Sequence, residues 1–148
     1  MSLKRGEGSW TEEAQAALSE AGFRTGGGRR QVLELLGKED CALTPLEIDR
    51  RLPRVGRATV YRSLEQLEQL ELIQRVDVGG GAAGYERRDP GGHHHHHIVC
   101  RQCGRVVPFE DAGLERAISA LAKRPDFTVS NHEVILRGEC AVCRRASR

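Results

Sequence analysis

Two dithiol motifs set the tightest limit on how this chain can fold. Cys100-x-x-Cys103 and Cys140-x-x-Cys143 stand with 36 residues between them. CxxC spacing lets two thiolates bind one tetrahedral ion, and two such pairs complete its four-coordination. A four-thiolate site is closed, so it reads as structural zinc with no open position for a substrate. The stretch between the pairs exceeds a usual zinc-ribbon loop, so a helix and strands fit between two knuckles. Two separate redox dithiols are the rival reading, and neither pair follows the strand–helix pattern expected of them. One cysteine, Cys41, is left over. The chain has 148 residues, room for one ordinary domain or two small ones. Residues 1–7 carry no apolar stretch, so the expected compartment is the cytoplasm, where paired cysteines read as metal ligands before disulfides. No apolar run approaches the ~18 residues of a membrane helix, and no membrane partner is expected.

Five consecutive histidines, His93 to His97, run directly into Ile98-Val99-Cys100. In a strand, alternate side chains face opposite sides. His94 and His96 would then share one face and His95 and His97 the other, so one short strand could feed two metal sites. The alternative is a loose surface tract that scavenges metal. His132, the remaining histidine, lies on a predicted strand over residues 127–136 that returns to the second knuckle. Glu115 falls on a predicted helix over residues 111–123.

The first half reads differently. Apolar residues recur at helical spacing over residues 10–22 (Trp10, Ala14, Ala17, Leu18, Ala21), and Gly26-Gly27-Gly28 precedes a second helix with Val32, Leu33, Leu35 and Leu36. Thr44-Pro45-Leu46-Glu47 combines an N-cap, a proline at the first helical position and a capping-box glutamate, so a third helix should run to about Leu52, before Pro53. A fourth is expected from 56–58 to about 70, with Val60, Leu64, Leu67 and Leu70 buried and Arg62, Gln66 and Gln69 wet. Residues 72–78 alternate as a strand, and the glycines after Val78 can turn the chain back through Gly84-Tyr85-Glu86-Arg87. Two helices, a turn and a hairpin in this order make a winged helix-turn-helix. A plain helical packing domain with a solvated basic face is the competing reading. Net charge is only +2, from 23 basic and 21 acidic residues, and predicts no partner by itself. Local charge is more telling: residues 50–64 hold five arginines and no acid.

Taken together, Gly22-Phe23-Arg24-Thr25 with Arg29, Ala58-Thr59-Val60-Tyr61-Arg62-Ser63-Leu64, the histidine run, Asn131-His132 and both CxxC pairs resemble the ferric uptake regulator (Fur) family over roughly residues 15–145. The resemblance implies an α+β protein: a winged helix-turn-helix domain at 1–84, a hinge at 85–92, and a small α/β dimerisation domain at 93–148. It implies structural zinc on Cys100, Cys103, Cys140 and Cys143. A second metal site would be His94, His96, Glu115 and His132. A hinge sensing site would be His95 and His97 with an acidic residue, where Glu86 fits the motif and Asp89 fits the spacing. DNA contacts would come from Arg24, Arg29, Thr59, Tyr61 and Arg62, and Arg57 could join them. The expected partners are a palindromic operator and a second copy of the chain.

Two departures bear on the sensed metal. Iron-type and peroxide-type members usually supply a histidine just before the third helix, where this chain has Ala42 beside Cys41. Zinc-type members (Zur) use a hinge cysteine and an aspartate after the recognition helix, where this chain has the region of Asp89 and Gln74. Cys41 is either a soft metal ligand or a small core residue. The histidine at 96, where iron-type members often carry aspartate, leans towards zinc over iron or manganese. The expected function is therefore a metal-responsive repressor, zinc-sensing, with iron sensing or iron-dependent peroxide sensing as alternatives. A metal-dependent hydrolase would need an open metal position beside a base or nucleophile. The chain has no HExxH and no activated serine or cysteine motif, so no enzyme and no small-molecule substrate are expected. A metal-buffering or interaction module without DNA binding is the remaining alternative.

Overall fold

A computed structural model of the chain describes residues 7–88 and 94–147. The elements run α1 (Glu7–Glu20), α2 (Gly27–Lys38), α3 (Pro45–Arg51), α4 (Arg57–Gln69), β1 (Ile73–Gly79), β2 (Ala82–Arg87), β3 (His96–Cys100), β4 (Val106–Phe109), α5 (Ala112–Ala122), β5 (Ile135–Gly138) and α6 (Ala141–Ala146). This is the expected α+β arrangement of four helices and a hairpin followed by a small mixed sheet with helices.

Local chemistry sets the element ends. Helix α1 stops where Gly22 takes φ +83°, with Phe23 N–H donating to Leu18 O at 2.9 Å and Gly22 N–H to Ser19 O at 3.0 Å. That paired closure satisfies the last carbonyls and returns Phe23 to the core. Ala21 is thereby a cap residue and exposed, rather than the buried helix position its spacing predicted. Helix α3 starts with the full capping box: Glu47 N–H donates to Thr44 Oγ1 at 3.2 Å, and Thr44 N–H to Glu47 Oε2 at 2.7 Å. The β1–β2 turn runs through Gly79, Gly80 and Gly81 at φ +90°, +62° and +78°, a region that side chains with a Cβ avoid.

One hydrophobic core joins these elements. Ala14 and Leu18 of α1, Val32, Leu33 and Leu36 of α2, Ile48 of α3, and Val60, Leu64 and Leu67 of α4 are all at most 1% exposed. Full burial of each large aliphatic side chain stabilises by about 1.5–3 kcal/mol. The α4 stripe differs from expectation at its edges. Leu70 is only partly buried, because the helix has ended at Gln69. Gln66 is half-buried, not wet, and its Oε1 lacks a partner. Ser63 is fully buried and donates to Thr59 O at 2.6 Å, so its hydroxyl is satisfied inside the helix.

The second half forms a sheet in the order β4-β3-β5, with β3 antiparallel to β4 and parallel to β5. Strand β5 covers only Ile135–Gly138, pairing His97–Cys100, so the predicted strand over 127–136 is mostly irregular. Among the described residues of this half only His96, His97, Val99 and Cys100 are buried, and α5 buries none. Ile98, Val107, Leu121, Phe127, Val129 and Leu136 are exposed apolar side chains. The halves touch where Arg137 Nη2 meets Asp77 Oδ2 at 3.2 Å on the hairpin. No helix among the described residues is long and apolar enough to cross a membrane.

Candidate metal centres and nucleic-acid surface

The turn after β3 and the N-terminus of α6 bring Cys100, Cys103, Cys140 and Cys143 together, with all four sulfurs within 4.8 Å of one another. Cys103 Sγ lies 3.8 Å from Cys140 Sγ. Zinc–thiolate bonds of ~2.3 Å give a tetrahedron edge of about 3.8 Å, so the sulfurs are spaced as four ligands of one ion would be. The thiols are also split in acidity. Backbone N–H groups at Cys103 and Cys140 lower Cys100 to about 6, whereas its neighbours, Cys140 first, push Cys143 up to about 12. Four sulfurs this close ionise together only when a cation neutralises them. The residues present fit structural zinc.

A second cluster spans the two halves. His95 and His97, from the start of β3, meet Glu86 at the end of β2 and Cys41 from the loop before α3, again within 4.8 Å. Glu86 Oε2 lies 3.0 Å from His95 Nε2 and 3.1 Å from His97 Nε2. Glu86 and His97 are each 3% exposed. Burial pushes the Glu86 carboxyl up, but hydrogen bonds from His95, His97 and Gln74 outweigh it and hold the group down at about 2. His95 is held up at about 10, by Cys41 first and then Glu86, against the opposing effect of burial. Glu86 and His95 thus form a part-buried ion pair, with the Cys41 sulfur beside it. One sulfur, two imidazoles and one carboxylate form a four-donor set that suits a tetrahedral divalent ion.

Cys41 lies in this cluster, while its neighbour Ala42 is buried against Gly84. Among the described residues, Glu86 is the acidic member. Asp89 and His93 lie outside the described residues. Gln74, which stands where zinc-type members place an aspartate, is not a donor of this cluster but a neighbour of it: its Nε2 donates to Glu86 Oε1 at 2.7 Å and fixes the carboxylate. It lies opposite Glu86 in the β1–β2 register.

The third cluster is His94, His96, Glu115 and His132, within the same 4.8 Å limit. His94 Nε2 lies 3.0 Å from His132 Nε2, and Glu115 lies 2.5 Å from His96 and 3.2 Å from His132. Two imidazole nitrogens this close need a shared proton or a shared ion between them. Zinc–nitrogen bonds of ~2.0 Å imply a tetrahedron edge of about 3.3 Å, near these separations. The histidines alternate as expected, although the strand begins only at His96, since β4 ends its pairing there at Phe109. His94 and His96 reach one cluster and His95 and His97 the other.

Arg57 apart, the expected DNA-contact residues lie around two concavities of the winged-helix half. Arg24, Arg29, Thr59 and Arg62 line one cleft of about 390 Å³. Tyr61, 52% exposed, lines a different cavity beside the hairpin. Arg57 is tied to Asp49, Nε to Oδ2 at 3.2 Å.

Comparison with known proteins agrees with this arrangement. The model of the "Ferric uptake regulator family" matches residues 20–137. The ferric uptake regulation protein of Campylobacter jejuni is 32% identical over 138 residues, covering 89% of this chain and 87% of that protein. The structure of the Vibrio cholerae ferric uptake regulator superposes with a TM-score of 0.72 at 31% identity, over 85% of this chain and 98% of that one. The Helicobacter pylori ferric uptake regulator shares the fold at TM-score 0.78 over 97% of both chains, at 23% identity. A model match over most of the length, a relative above 30% identity, and a helix-turn-helix joined to a four-cysteine half lead to one assignment. This chain belongs to the ferric uptake regulator family, whose members are metal-responsive regulators that bind DNA as dimers.

Proposed function

We propose that this protein is a cytoplasmic, zinc-responsive repressor of metal-uptake genes, and that its metal-loaded dimer binds a palindromic operator. The carrying observation is the donor set of the hinge cluster. Cys41 adds a thiol to Glu86, His95 and His97. Thiolate and imidazole ligands suit zinc, whereas carboxylate, carbonyl and water suit manganese. The four-cysteine cluster would hold structural zinc, and the cluster of His94, His96, Glu115 and His132 a further ion. Residues 1–84 act as the DNA-binding domain, 85–92 as the hinge and 93–148 as the dimerisation domain.

Control follows from where the hinge donors sit. Cys41 belongs to the winged-helix domain, Glu86 lies at the start of the hinge on the end of β2, and His95 and His97 belong to the dimerisation domain. These four residues would hold a divalent ion between the two halves, and the ion would supply the positive charge that offsets the thiolate and carboxylate. The angle between the halves fixes the distance between the two recognition helices, α4, of a dimer. Only one distance matches half-sites about one helical turn, or a multiple, apart. Moving the population from mostly open to mostly closed takes about 5.5 kcal/mol of differential binding. Several ligands brought together only in the closed state supply an effect of that size. The role is regulatory, with no substrate.

Iron sensing is the second reading. The similar proteins named above are ferric regulators, and the cluster of His94, His96, Glu115 and His132 offers only nitrogen and oxygen. Metal-stripped protein, titrated anaerobically and separately with zinc, iron(II), manganese and nickel, distinguishes the two. Operator binding should switch on with zinc at lower free-metal levels than with iron(II) or manganese. A response to iron(II) without one to zinc supports the second reading and overturns the first.

A further inference from the structure

The arginines of the winged-helix half include a group that no metal cluster uses. Arg24, Arg29, Arg54 and Arg62 line one cleft of about 390 Å³, with Thr59 on its wall. Among the described residues, none of these four has a carboxylate in ion-pair range. By contrast, Arg30, Arg51 and Arg57 nearby are each paired, to Glu34, Glu39 and Asp49. Arg29 Nε is buried with no acceptor in reach. Burial first, and then the like charge of Arg62, work against the Arg29 cation. Four cations around one cavity repel each other unless an anion enters it.

The backbone of the cleft suits the same ligand. Helices α2 and α4 both begin here, from the glycine N-caps Gly26 and Gly56, and neither has a side-chain cap. Thr44 and Asp111 do cap α3 and α5. Uncapped starts leave N–H groups free and carry a partial positive charge, the arrangement that receives phosphate. Gly28 lets the two starts approach: a Cβ there would stand 3.1 Å from Thr59 Cγ2 and 3.3 Å from Val55 Cγ1. The glycine run before Arg29 thus has a packing reason.

We propose that this cleft is a phosphate site that takes one backbone phosphodiester of the DNA, and that Arg54 is part of it. The inference rests on the DNA-binding function proposed above and adds to it a contact residue and a ligand chemistry. A phosphodiester offers two free oxygens, matched by guanidinium forks and open helix N–H groups. The contact sets register on the duplex and carries no sequence information. Free inorganic phosphate has the same chemistry and is the alternative source of the anion.

Arg54 is exposed on the turn between α3 and α4, so its truncation leaves the core intact. The test compares metal-loaded wild type, Arg54→Ala and Arg54→Lys on the operator and on a scrambled duplex across a salt series. Arg54→Ala should weaken both complexes by the same factor and make the log–log salt slope shallower by about 0.9, the loss of one phosphate contact. Arg54→Lys should recover most of the slope. An unchanged slope with Arg54→Ala, or a loss confined to the operator, overturns the inference. Titration with inorganic phosphate alone, followed by the amide resonances of Gly27 and Gly28, covers the other source. Saturable phosphate binding combined with an unchanged salt slope assigns the cleft to free phosphate and overturns the DNA contact. Failure of the wild type to bind either duplex is a different result, and it overturns the proposed function instead.

Discussion

A thiolate binds a divalent ion through a soft, polarisable sulfur, and Cys41 brings one to a hinge cluster that otherwise holds two imidazoles and a carboxylate. The family resemblance placed Cys41 beside the position of a ligand histidine and left it either a soft ligand or a core residue, because Glu86, His95 and His97 lie far along the chain and only the fold brings them near. The alternating histidines and the CxxC pairs were legible because their partners are set by local spacing. Gln74 drew notice in the sequence only as the place where zinc-type members carry aspartate; its hold on Glu86, at 2.7 Å, follows from the strand pairing. Removing such an outer partner typically costs 10–100-fold in metal affinity, so roughly that loss at the hinge is expected for Gln74→Ala, read by competition with a zinc chelator. Protonation gives a second expectation. His95 is held up at about 10 and so carries a proton at neutral pH in the metal-free chain, whereas a metal-bound imidazole cannot. Zinc uptake at the hinge should therefore release protons, and affinity should rise with pH between about 6 and 8. Proton release measured in weakly buffered solution checks this, and zinc binding independent of pH would contradict it. The same raised group stabilises the metal-free hinge below its unfolded value, ~6.5, and loses that contribution as pH rises through about 10. Glu86, held at about 2, contributes above its unfolded value, ~4.3, and loses it as pH falls through about 2.

At the scale of elements, capping chemistry was the most readable part of the sequence. Thr44, Pro45 and Glu47 specify the start of α3 within four residues, and both reciprocal hydrogen bonds are present. Thr44→Ala should lower stability by about 1 kcal/mol, measured by denaturant unfolding, with no change in the four-cysteine zinc content. An unchanged midpoint would mean that the box adds nothing to the fold. The sheet half was harder to read. Alternation over residues 127–136 suggested one long strand, yet pairing exists only for Ile135–Gly138, because strand length depends on what the neighbour offers. Residue β-propensity says nothing about that neighbour. On α4, the helical period placed Val60, Leu64 and Leu67 correctly but missed Ser63, whose hydroxyl is satisfied within its own helix.

Over the whole molecule, apolar burial is uneven. The core of large aliphatic side chains belongs to residues 14–73, whereas the described part of the sheet half buries little beyond His96, His97, Val99 and Cys100. Three of those four belong to the candidate metal clusters, so under the proposed function ligation and contact with a second copy would take the place of a hydrophobic core there. Stripping the protein of all metal should remove hydrogen-exchange protection from β3 and β4 while leaving α1, α2 and α4 protected. Equal protection of both halves after stripping would show that the sheet half folds on its own contacts. In the proposed mechanism, Cys41 ties the winged helix to the sheet half through the hinge metal. Operator binding against buffered free zinc, for wild type and Cys41→Ser with the four-cysteine zinc retained in both, tests it most directly. The variant should need about tenfold or more free zinc for half-maximal binding, equivalent to about 1.4 kcal/mol. Superimposable binding curves would contradict it.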